Sequence, residues 1–403
     1  MTPPLSSRRR VAVVGMGACS PLGGSYREIA RELLAATDAV GDVTLFDVST
    51  CRSRTAGEVQ ERSLAERGAG KRPTRMVAAA LRQADANAPG FEAETAIVGT
   101  TSGGMPGGEQ YLRALSSSDF ANGRPHKRER RALLRDYMPH QPVIQAYASG
   151  GTRVPPLRIV SNACASGSNA LGHAFLLIHR GLANRVTCGG YDVLTELVFA
   201  GFDCLKASTE EKCRPFDAGR TGLALGEGAA MFHFQEWESA VAEGRSIFGE
   251  VCGYGASSDN HHLTQPNPDG SGPARAMRRA LAVSGWDAAS VDYVNAHGTA
   301  TPMNDATEAR AIMDVVPRAA VSSCKSQTGH ALGAAGALEA YYCLLALREG
   351  FLPASIHFRE PDPGVEVDIV ANSIRAVSAK RVLSNSIGFG GSNATLALAG
   401  GVA

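Results

Sequence analysis

Short apolar runs alternate with amphipathic segments along the chain, and this pattern predicts an α/β fold. Apolar runs of strand length begin at position 11 and recur at 96–99, 157–160, 185–190, 229–234, 247–254, 291–296 and 320–322. Apolar residues at helical spacing predict helices at 27–36, 76–87, 170–178, 273–283 and 329–349, with another after Asp305. The segment 40–59 follows neither period and is expected to be irregular. Because strands and helices alternate, functional residues are expected at the carboxyl ends of the strands.

Two sequence repeats indicate that the chain contains two similar units. The tripeptide Ala-Leu-Gly at 170–172 recurs at 331–333, and each copy belongs to a strand, turn and helix sequence. The glycine pattern at 226–228, which precedes a strand, is echoed at 388–391. We therefore expect an N-terminal half over 1–245 and a C-terminal half over 246–403, packed together.

Composition places the chain among ordinary globular proteins and argues against several function classes. With 403 residues, 44% of them hydrophobic and 20% charged, the chain can bury one large core or two fused cores. A formal net charge of +1 argues against nucleic-acid binding. No apolar run approaches the ~18 residues of a membrane span. Nine cysteines without a C-x-x-C pair argue against disulfides and structural zinc, so a cytoplasmic location is expected.

The N-terminal region carries two patterns that imitate known signals. Arginines at 8–10 precede the apolar run 11–14, as in a signal peptide, but Gly15 and Gly17 interrupt that run too early. The same glycines begin a G-x-G-x-x-G dinucleotide fingerprint, whose third position is Ser20 instead. We expect a buried first strand here and no nucleotide cofactor.

The stretch 157–180 orders a strand, a turn of small residues and a helix, and Cys164 stands in that turn. Unpaired backbone N–H groups and the positive end of the helix dipole at this place favour a thiolate. Small neighbours leave room for an acyl group to reach the sulfur and for its oxyanion to meet backbone amides. Cys164 is therefore a candidate nucleophile. The alternative is a buried structural cysteine, the state of most free cysteines.

Three motifs in the second half offer partners for this cysteine. NAHGTAT places His297 at the carboxyl end of a strand, and SSCKSQTGH places Lys325 on a turn and His330 at a helix start. NSIGFGGSNA forms a glycine loop that can present a backbone amide at Phe389. Each histidine can instead be a hydrogen-bonded core residue. A zinc pair of His297 and His330 lacks a third ligand in the sequence pattern.

These motifs, taken with NACASG around Cys164, resemble those of the β-ketoacyl-acyl-carrier-protein synthases. RPFDAGRTGLALGEGA at 214–229 and SSDNHHLTQPNPDG at 257–270 match the same family, and the resemblance extends from 11 to 398. It implies the thiolase fold, in which two pseudo-symmetric βαβαβαββ halves form a five-layered αβαβα core, in a dimer. It also implies decarboxylative Claisen condensation of malonyl-carrier with an acyl-enzyme thioester to give a 3-oxoacyl-carrier product. No metal and no bound cofactor is implied.

The resemblance also assigns the reacting groups. Cys164 would take the acyl group from a phosphopantetheine thioester, and the backbone amides of Cys164 and Phe389 would hold the oxyanion. His297 and His330 would stabilise, through their Nε2–H groups, the enolate that forms as CO2 leaves.

Further residues take roles by the same resemblance. Lys325, Glu308 and Glu339 would form a charged cluster that orients His330 and tunes its protonation, unless the cluster is a structural ion-pair network. The residues expected to contact the substrate are Thr299 and Thr301 on the pantetheine arm, Phe389 as a gate, Asp259 and His262 on the loop facing it, and Gly108 in the acyl pocket. Some relatives carry a bulky residue where Gly108 stands, so glycine predicts room for a longer chain.

The implied partners are an acidic acyl carrier protein and a second subunit. Basic runs at 62–75 and 124–135 would steer the carrier by charge, or are solvated helix faces. The dimer can hold two identical subunits, or the chain can be the ketosynthase of a type II polyketide or polyene system that pairs with a cysteine-less sister. A thiolase acting on coenzyme A esters is disfavoured, because thiolases use a second cysteine where this chain has histidines. A non-catalytic subunit is disfavoured by the intact cysteine and histidines.

Overall fold

The computed structural model describes residues 8–66, 70–116, 127–363 and 365–401. The α-helices are α1 (Tyr26–Leu34), α2 (Arg72–Asn87), α3 (Met105–Ser116), α4 (Lys127–Tyr137), α5 (Gln141–Ser149), α6 (Ser166–His179), α7 (Glu196–Cys204), α8 (Trp237–Ala242), α9 (Ser271–Ser284), α10 (Pro302–Val315), α11 (Lys325–Thr328) and α12 (Ala335–Glu349). The strands are β1 (Val11–Cys19), β2 (Val40–Asp42), β3 (Thr55–Gly57), β4 (Thr95–Gly99), β5 (Leu157–Val160), β6 (Arg185–Asp192), β7 (Leu225–Gly226), β8 (Gly228–Glu236), β9 (Gly249–Ser258), β10 (Tyr293–Asn295), β11 (Ala320–Ser322), β12 (Phe351–Leu352), β13 (Asp368–Ile369), β14 (Arg375–Ala376), β15 (Arg381–Gly388) and β16 (Ser392–Gly400).

Eleven strands form one mixed sheet in the order β13-β11-β10-β15-β16-β9-β1-β8-β6-β4-β5. The N-terminal set (β1, β4, β5, β6, β8) and the C-terminal set (β9, β10, β11, β15, β16) share one spatial order. In each set, the first strand pairs antiparallel with the fifth and the fifth antiparallel with the fourth, while the fourth, second and third are parallel. The sets join where β1 pairs antiparallel with β9. This repeat of order and direction confirms the expected pair of pseudo-symmetric α/β halves.

Helices α6 and α12 lie between the two sets of strands, because each packs against strands of both sets. Helix α2 packs on the outer side of β1, β6 and β8, and α9 packs on β9, β15 and β16. The layers therefore run helix, sheet, helix, sheet, helix. The largest apolar cluster surrounds α6 and α12, with Val11 and Val13 of β1 facing it. Ala12 and Val14 face a second apolar cluster, so β1 is buried on both sides and carries a continuous apolar run.

Several local predictions need correction. The segment 40–59 is not wholly irregular, because β2 and β3 pair within it. The helix expected over 329–349 begins only at α12, after the short α11 and a 3-10 turn at Leu332–Ala334. The Ala-Leu-Gly repeat therefore lies inside α6 but ahead of α12, and it does not mark equivalent positions. The predicted division between the halves lies in the connection from α8 to β9 and stays a prediction. Every helix of the described residues is too short or too polar to span a bilayer.

Candidate active site

Cys164 stands in the turn between β5 and α6, as its sequence context predicts. The preceding residue, Ala163, has a φ of 55°, in the left-handed region that a side chain disfavours. The carbonyl of Ala163 accepts hydrogen bonds from Ser166 Oγ at 2.6 Å and from Thr101 Oγ1 at 3.0 Å. These bonds hold the strained turn, which presents Cys164 to a cavity of 270 Å³.

His297 and His330 approach this sulfur from the second half. His297 lies two residues past β10, and His330 lies two residues past α11. The Nε2 atom of His330 is 3.0 Å from the Sγ atom of Cys164. The two imidazole centroids are 5.2 Å apart, with their planes at 86°. The sulfur and one nitrogen from each ring all lie within 4.8 Å of one another, so the fold brings the three predicted reacting groups together.

The main chain of His330 is anchored to the first half. Its N–H donates to the carbonyl of Ala224 at 2.7 Å, and its carbonyl accepts the N–H of Gly226 at 2.9 Å. Gly226 belongs to β7, in the segment 214–229 that the sequence singled out. The two halves are therefore joined by backbone hydrogen bonds directly beside the reacting groups.

Burial controls protonation at this site. It raises the pKa of the Cys164 thiol to about 12, although the charge of Lys325 and the N–H groups of Phe389 and of Cys164 itself act in the opposite direction. The resting sulfur is thus a thiol, not the thiolate that the helix terminus alone would favour. Burial and Lys325 lower the pKa of His297 and of His330 well below the ordinary range. Both imidazoles are neutral near pH 7, and each keeps one N–H to donate.

The charged cluster lies behind His297 rather than behind His330. Glu308 accepts the backbone N–H of His297 and that of the next residue, both at 2.8 Å. The Nζ of Lys325 donates to the carbonyl of His297 at 2.5 Å and to the carboxylate of Glu339. The expectation that this cluster orients His330 therefore needs correction, because its hydrogen bonds reach the main chain of His297. Among the described residues, Nδ1 of either histidine has no hydrogen-bond partner, so the tautomers are not fixed by contacts.

Thr299 and Thr301 both line the cavity, and their hydroxyl oxygens are 2.9 Å apart. Ala300 between them has a φ of 64°, and its N–H donates to the buried carboxylate of Asp305 at 3.1 Å. The N–H of Phe216, another residue with positive φ, donates to the same carboxylate at 2.8 Å. Asp305 thus supports the turn that carries the two threonines. The sequence interpretation placed Asp305 only near a helix start, which does not reveal this contact.

Phe389 stands in the glycine loop between β15 and β16. Its ring stacks on Phe202 of α7, with centroids 5.7 Å apart and planes at 17°, and both rings line the cavity. The next two residues, Gly390 and Gly391, have φ values of 79° and 76°, which require glycine. Phe202 was missed by the sequence interpretation, because it belongs to no quoted motif and α7 was not among the expected helices.

The loop over 257–270 reaches the cavity, but the two residues singled out there have different places. Asp259 is buried, and its carboxylate accepts a hydrogen bond from the amide of Asn393 at 2.6 Å. This bond joins the loop to the start of β16. His262 is exposed, and its Nδ1 accepts the N–H of Thr264 at 3.1 Å. Residues 264–266 of this loop line the cavity, whereas His262 is not among the described residues that line it.

Gly108 is not brought to this cavity. It lies in α3, where an added Cβ would meet the ring of Tyr137, with the nearest atom at 2.8 Å. None of the described residues of α3 is among those lining the 270 Å³ cavity. This geometry gives no support to the role expected for Gly108 in the acyl pocket, and product lengths from a Gly108 variant test that role.

The first basic run is largely paired within the chain. The ion pairs are Lys71–Asp136, Arg72–Glu227 and Arg75–Glu61. Arg72 binds a carboxylate that is fully buried, so this part of the run stabilises the fold instead of forming a free basic face. Arg67 and positions 124–126 lie outside the described residues. Among the described lining residues of the cavity, the exposed Lys206 is the one lysine or arginine.

Metal ligation is chemically conceivable at the reacting groups. A thiolate and two imidazoles are zinc ligands, and the fold supplies Cys164 as the third ligand that the sequence pattern lacked. Within the described residues this is the one such cluster of three. A metal would require the thiolate, whereas burial favours the thiol. The expectation of no metal stays a prediction.

Known proteins resemble this chain over almost its whole length. The family models described as "Beta-ketoacyl synthase, N-terminal domain" and "Beta-ketoacyl synthase, C-terminal domain" match residues 151–240 and 248–359. The 3-oxoacyl-[acyl-carrier-protein] synthase 2 of Synechocystis sp. is 36% identical, over 97% of this chain and 98% of that protein. The solved ishigamide ketosynthase/chain length factor has a TM-score of 0.85 at 32% identity, covering 98% of this chain and 100% of the other. A β-ketoacyl synthase from Burkholderia phymatum has the same TM-score and coverage at 31% identity.

Proposed function

The chain belongs to the β-ketoacyl synthase family, and from that premise we propose how its residues perform the condensation. It is a 3-oxoacyl-[acyl-carrier-protein] synthase that joins a malonyl-derived unit to an acyl chain, with loss of CO2, in fatty acid or polyketide elongation. The observation that carries the proposed roles is the 3.0 Å contact between Cys164 Sγ and His330 Nε2, with His297 beside both.

The first half-reaction acylates Cys164. The sulfur attacks the thioester carbonyl of the acyl-carrier, a new C–S bond forms, and the bond to the carrier sulfur breaks. The thiol proton of Cys164 ends on the released carrier thiol. The N–H groups of Cys164 and Phe389 lower the pKa of the thiol, as donors near the sulfur would. The same two N–H groups hold the oxyanion that forms beside the sulfur in the proposed step.

The second half-reaction condenses malonyl-carrier with the acyl-enzyme. The C–C bond to the carboxylate breaks, and its electron pair enters the thioester as an enolate. Neutral His297 and His330 donate from Nε2–H to the enolate oxygen, which gains charge only as CO2 leaves. The enolate carbon then attacks the acyl carbonyl, the bond to Cys164 breaks, and the sulfur takes a proton from solvent. Neither half-reaction is a net oxidation or reduction.

The remaining site residues position these groups. Glu308 holds the main chain at His297, and Lys325 holds its carbonyl while pairing with Glu339. Charge at Lys325 also helps to keep both imidazoles neutral. The hydroxyls at Thr299 and Thr301 bind the amides of the pantetheine arm, and the exposed Lys206 faces its phosphate. Phe389, stacked on Phe202, forms one wall of the cavity.

An acyl carrier protein is the proposed substrate-bearing partner, and a second subunit completes the enzyme as a homodimer or as a heterodimer. The likeness to a ketosynthase/chain length factor supports the heterodimer as the second candidate. Native mass spectrometry of the chain, alone and mixed with a cysteine-less sister subunit, decides between them.

A cytoplasmic location is proposed because all nine cysteines are free, which suits a reducing compartment. Cell fractionation tests this location.

The decisive test is to incubate the protein with malonyl-carrier and a panel of acyl-carriers, then weigh the products. We expect 3-oxoacyl-carriers two carbons longer than the donor, and an acyl adduct on the intact enzyme. Cys164→Ala should lose both, whereas the matched variant Cys204→Ala, which removes an exposed cysteine, should keep both. Products made equally from coenzyme A thioesters would favour a thiolase. An adduct that persists in Cys164→Ala would overturn the assigned nucleophile.

A further inference from the structure

One fully buried carboxylate joins the two halves of the protein beside the reacting groups. Asp192, the last residue of β6, has no solvent exposure and no lysine or arginine among its described hydrogen-bond partners. Its Oδ1 accepts hydrogen bonds from Thr100 Oγ1 and the N–H of Ser102, both at 2.8 Å. Its Oδ2 accepts the N–H of Thr101 at 2.9 Å and the N–H of Gly333 at 2.7 Å. Burial raises its pKa to about 6, so these donors hold it ionised near pH 7.

The hydrogen bonds of Asp192 within the first half connect it to Cys164. Asp192 fixes the loop that follows β4, the glycine-rich segment TTSGG at 100–104. Thr101 in this loop donates from its hydroxyl to the carbonyl of Ala163 at 3.0 Å. Ala163 is the strained residue directly before Cys164. The carboxylate therefore restrains the turn that sets the position of the sulfur.

The hydrogen bond of Asp192 to the second half connects it to His330. Gly333 lies three residues after His330 and has its N–H bound to Asp192. A Cβ at Gly333 would lie 2.7 Å from the same carboxylate and 2.6 Å from the N of Thr101, so the contact tolerates only glycine. The segment 330–333 is thus held by Asp192 at one end and by the hydrogen bonds of His330 to β7 at the other.

We propose that Asp192 is a positioning residue, whose carboxylate holds the Cys164 turn and the His330 segment at the separation needed for sulfur and imidazole to meet. This inference rests on the proposed function for the roles of Cys164 and His330. It goes beyond that function because Asp192 acts across the two halves without touching the reacting atoms. The Cys164 turn is held by contacts within the first half, whereas the His330 segment takes its position from hydrogen bonds to that half.

Alkylation of Cys164 by iodoacetamide tests the inference without any carrier substrate. No contact fixes the tautomer of His330, so in the free enzyme its Nε2 accepts the thiol proton while Nδ1 carries the N–H. His330→Ala should therefore slow alkylation, and Asp192→Ala should slow it too, by displacing His330. A purely electrostatic role predicts the opposite sign, because the charge of Asp192 raises the pKa of Cys164 and its loss would speed alkylation. The double variant Asp192→Ala, His330→Ala should be alkylated no more slowly than His330→Ala alone, because both changes remove the contact between His330 and Cys164.

Two further variants keep the test decisive. Asp192→Asn retains one acceptor oxygen and the shape of the side chain, so it should fold if the alanine variant does not, and should slow alkylation several-fold. Asp292→Asn is the matched control. Asp292 also accepts two backbone N–H groups, at 2.7 and 3.0 Å, but it precedes β10, whereas His297 and the reacting groups lie past the other end of that strand. Its alkylation rate should equal that of the wild type. Unchanged or faster alkylation in folded Asp192 variants, or effects that multiply in the double variant, would overturn the proposal. Failure of the proposed function would instead show as absent condensation in the wild-type protein.

Discussion

The Nε2 atom of His330 lies 3.0 Å from the Sγ atom of Cys164, although 166 residues separate the two in the sequence. The contact joins a turn of the first half to a segment of the second, and both residues are buried. A thiol whose pKa is raised by burial meets an imidazole whose pKa is lowered by burial, so the neutral pair is the resting state. Chemistry at this site therefore begins from neutral groups and develops charge only when substrate binds.

Removing one member of the Lys325–Glu339 pair should cost more stability than removing both. The two side chains are 2% and 3% exposed, so Lys325→Met leaves a buried carboxyl without its cation. We expect the free energy of unfolding in urea to fall by about 3–5 kcal/mol, and the added change Glu339→Leu to recover part of it. The exposed pair Arg278–Asp314 is the control, where Arg278→Met should cost less than about 1 kcal/mol. Equal losses in the single and double variants would contradict a buried pair.

The two site histidines should make the protein less stable in acid. Their folded pKa lies well below the ordinary 6.5, so below that pH the unfolded chain binds protons that the folded chain excludes. Each histidine should therefore remove up to about 2 kcal/mol of unfolding free energy between pH 6.5 and 5. Glu308, whose pKa burial raises to about 7, acts in the opposite direction because stability falls as pH rises through that range.

Comparing the wild type with the double variant His297→Ala, His330→Ala isolates the histidine effect, since Glu308 is present in both proteins. Urea unfolding at pH 7 and at pH 5 measures the difference. The variant should lose less stability than the wild type on acidification. An identical pH dependence in the two proteins would show that the imidazoles already titrate normally.

The stacked rings of Phe202 and Phe389 should matter for the condensation rate. Phe202→Ala removes the partner of the Phe389 ring, and an aromatic pair of this kind is worth about 0.5–1.5 kcal/mol. If that energy helps to hold the Phe389 N–H at the oxyanion, kcat should fall about 2- to 12-fold. Phe91→Ala is the control, since it breaks a stacked pair with His233 far from the cavity. A loss of the same size in both variants would mean that only general stability was changed.

Gly108→Met distinguishes packing from chain-length selection. Because an added Cβ meets the Tyr137 ring at 2.8 Å, we expect the unfolding free energy to fall by about 1–3 kcal/mol through overpacking. The product lengths from the acyl-carrier panel should be unchanged, since α3 does not line the described cavity. Shortened products from a variant of undiminished stability would restore the role that the sequence resemblance implied for Gly108.

Metal removal should leave the enzyme active. Elemental analysis of the purified protein should find no zinc in molar amounts, and dialysis against a chelator should not change the condensation rate. The physical reason is that a zinc site needs the Cys164 thiolate, whereas burial favours the thiol. Stoichiometric zinc that is lost together with activity would instead assign the cluster of Cys164, His297 and His330 to a metal.

Local pattern was sufficient for much of this protein. Apolar runs located β1, β4 and β6 to within a few residues, because strands buried on both faces need continuous apolar side chains. Small residues around Cys164 marked the strand-turn-helix that carries the sulfur, and the motifs around His297 and His330 marked its partners. The local pattern did not predict where a helix is interrupted. Between α11 and α12 the backbone of His330 forms hydrogen bonds with β7 instead of continuing a helix.

The local sequence pattern did not predict contacts between distant segments of the chain. No residue near Glu308 in the chain reveals that its carboxylate holds the backbone of His297, and nothing beside Phe202 reveals its stacking on Phe389. The same holds for Gly108, whose neighbour Tyr137 is set by the packing of α3 on α4. Hydrophobic periodicity and turn chemistry act between residues a few positions apart. Distances across the two halves follow instead from how both sets of strands pack on α6 and α12, and from buried contacts between the halves such as Asp192–Gly333.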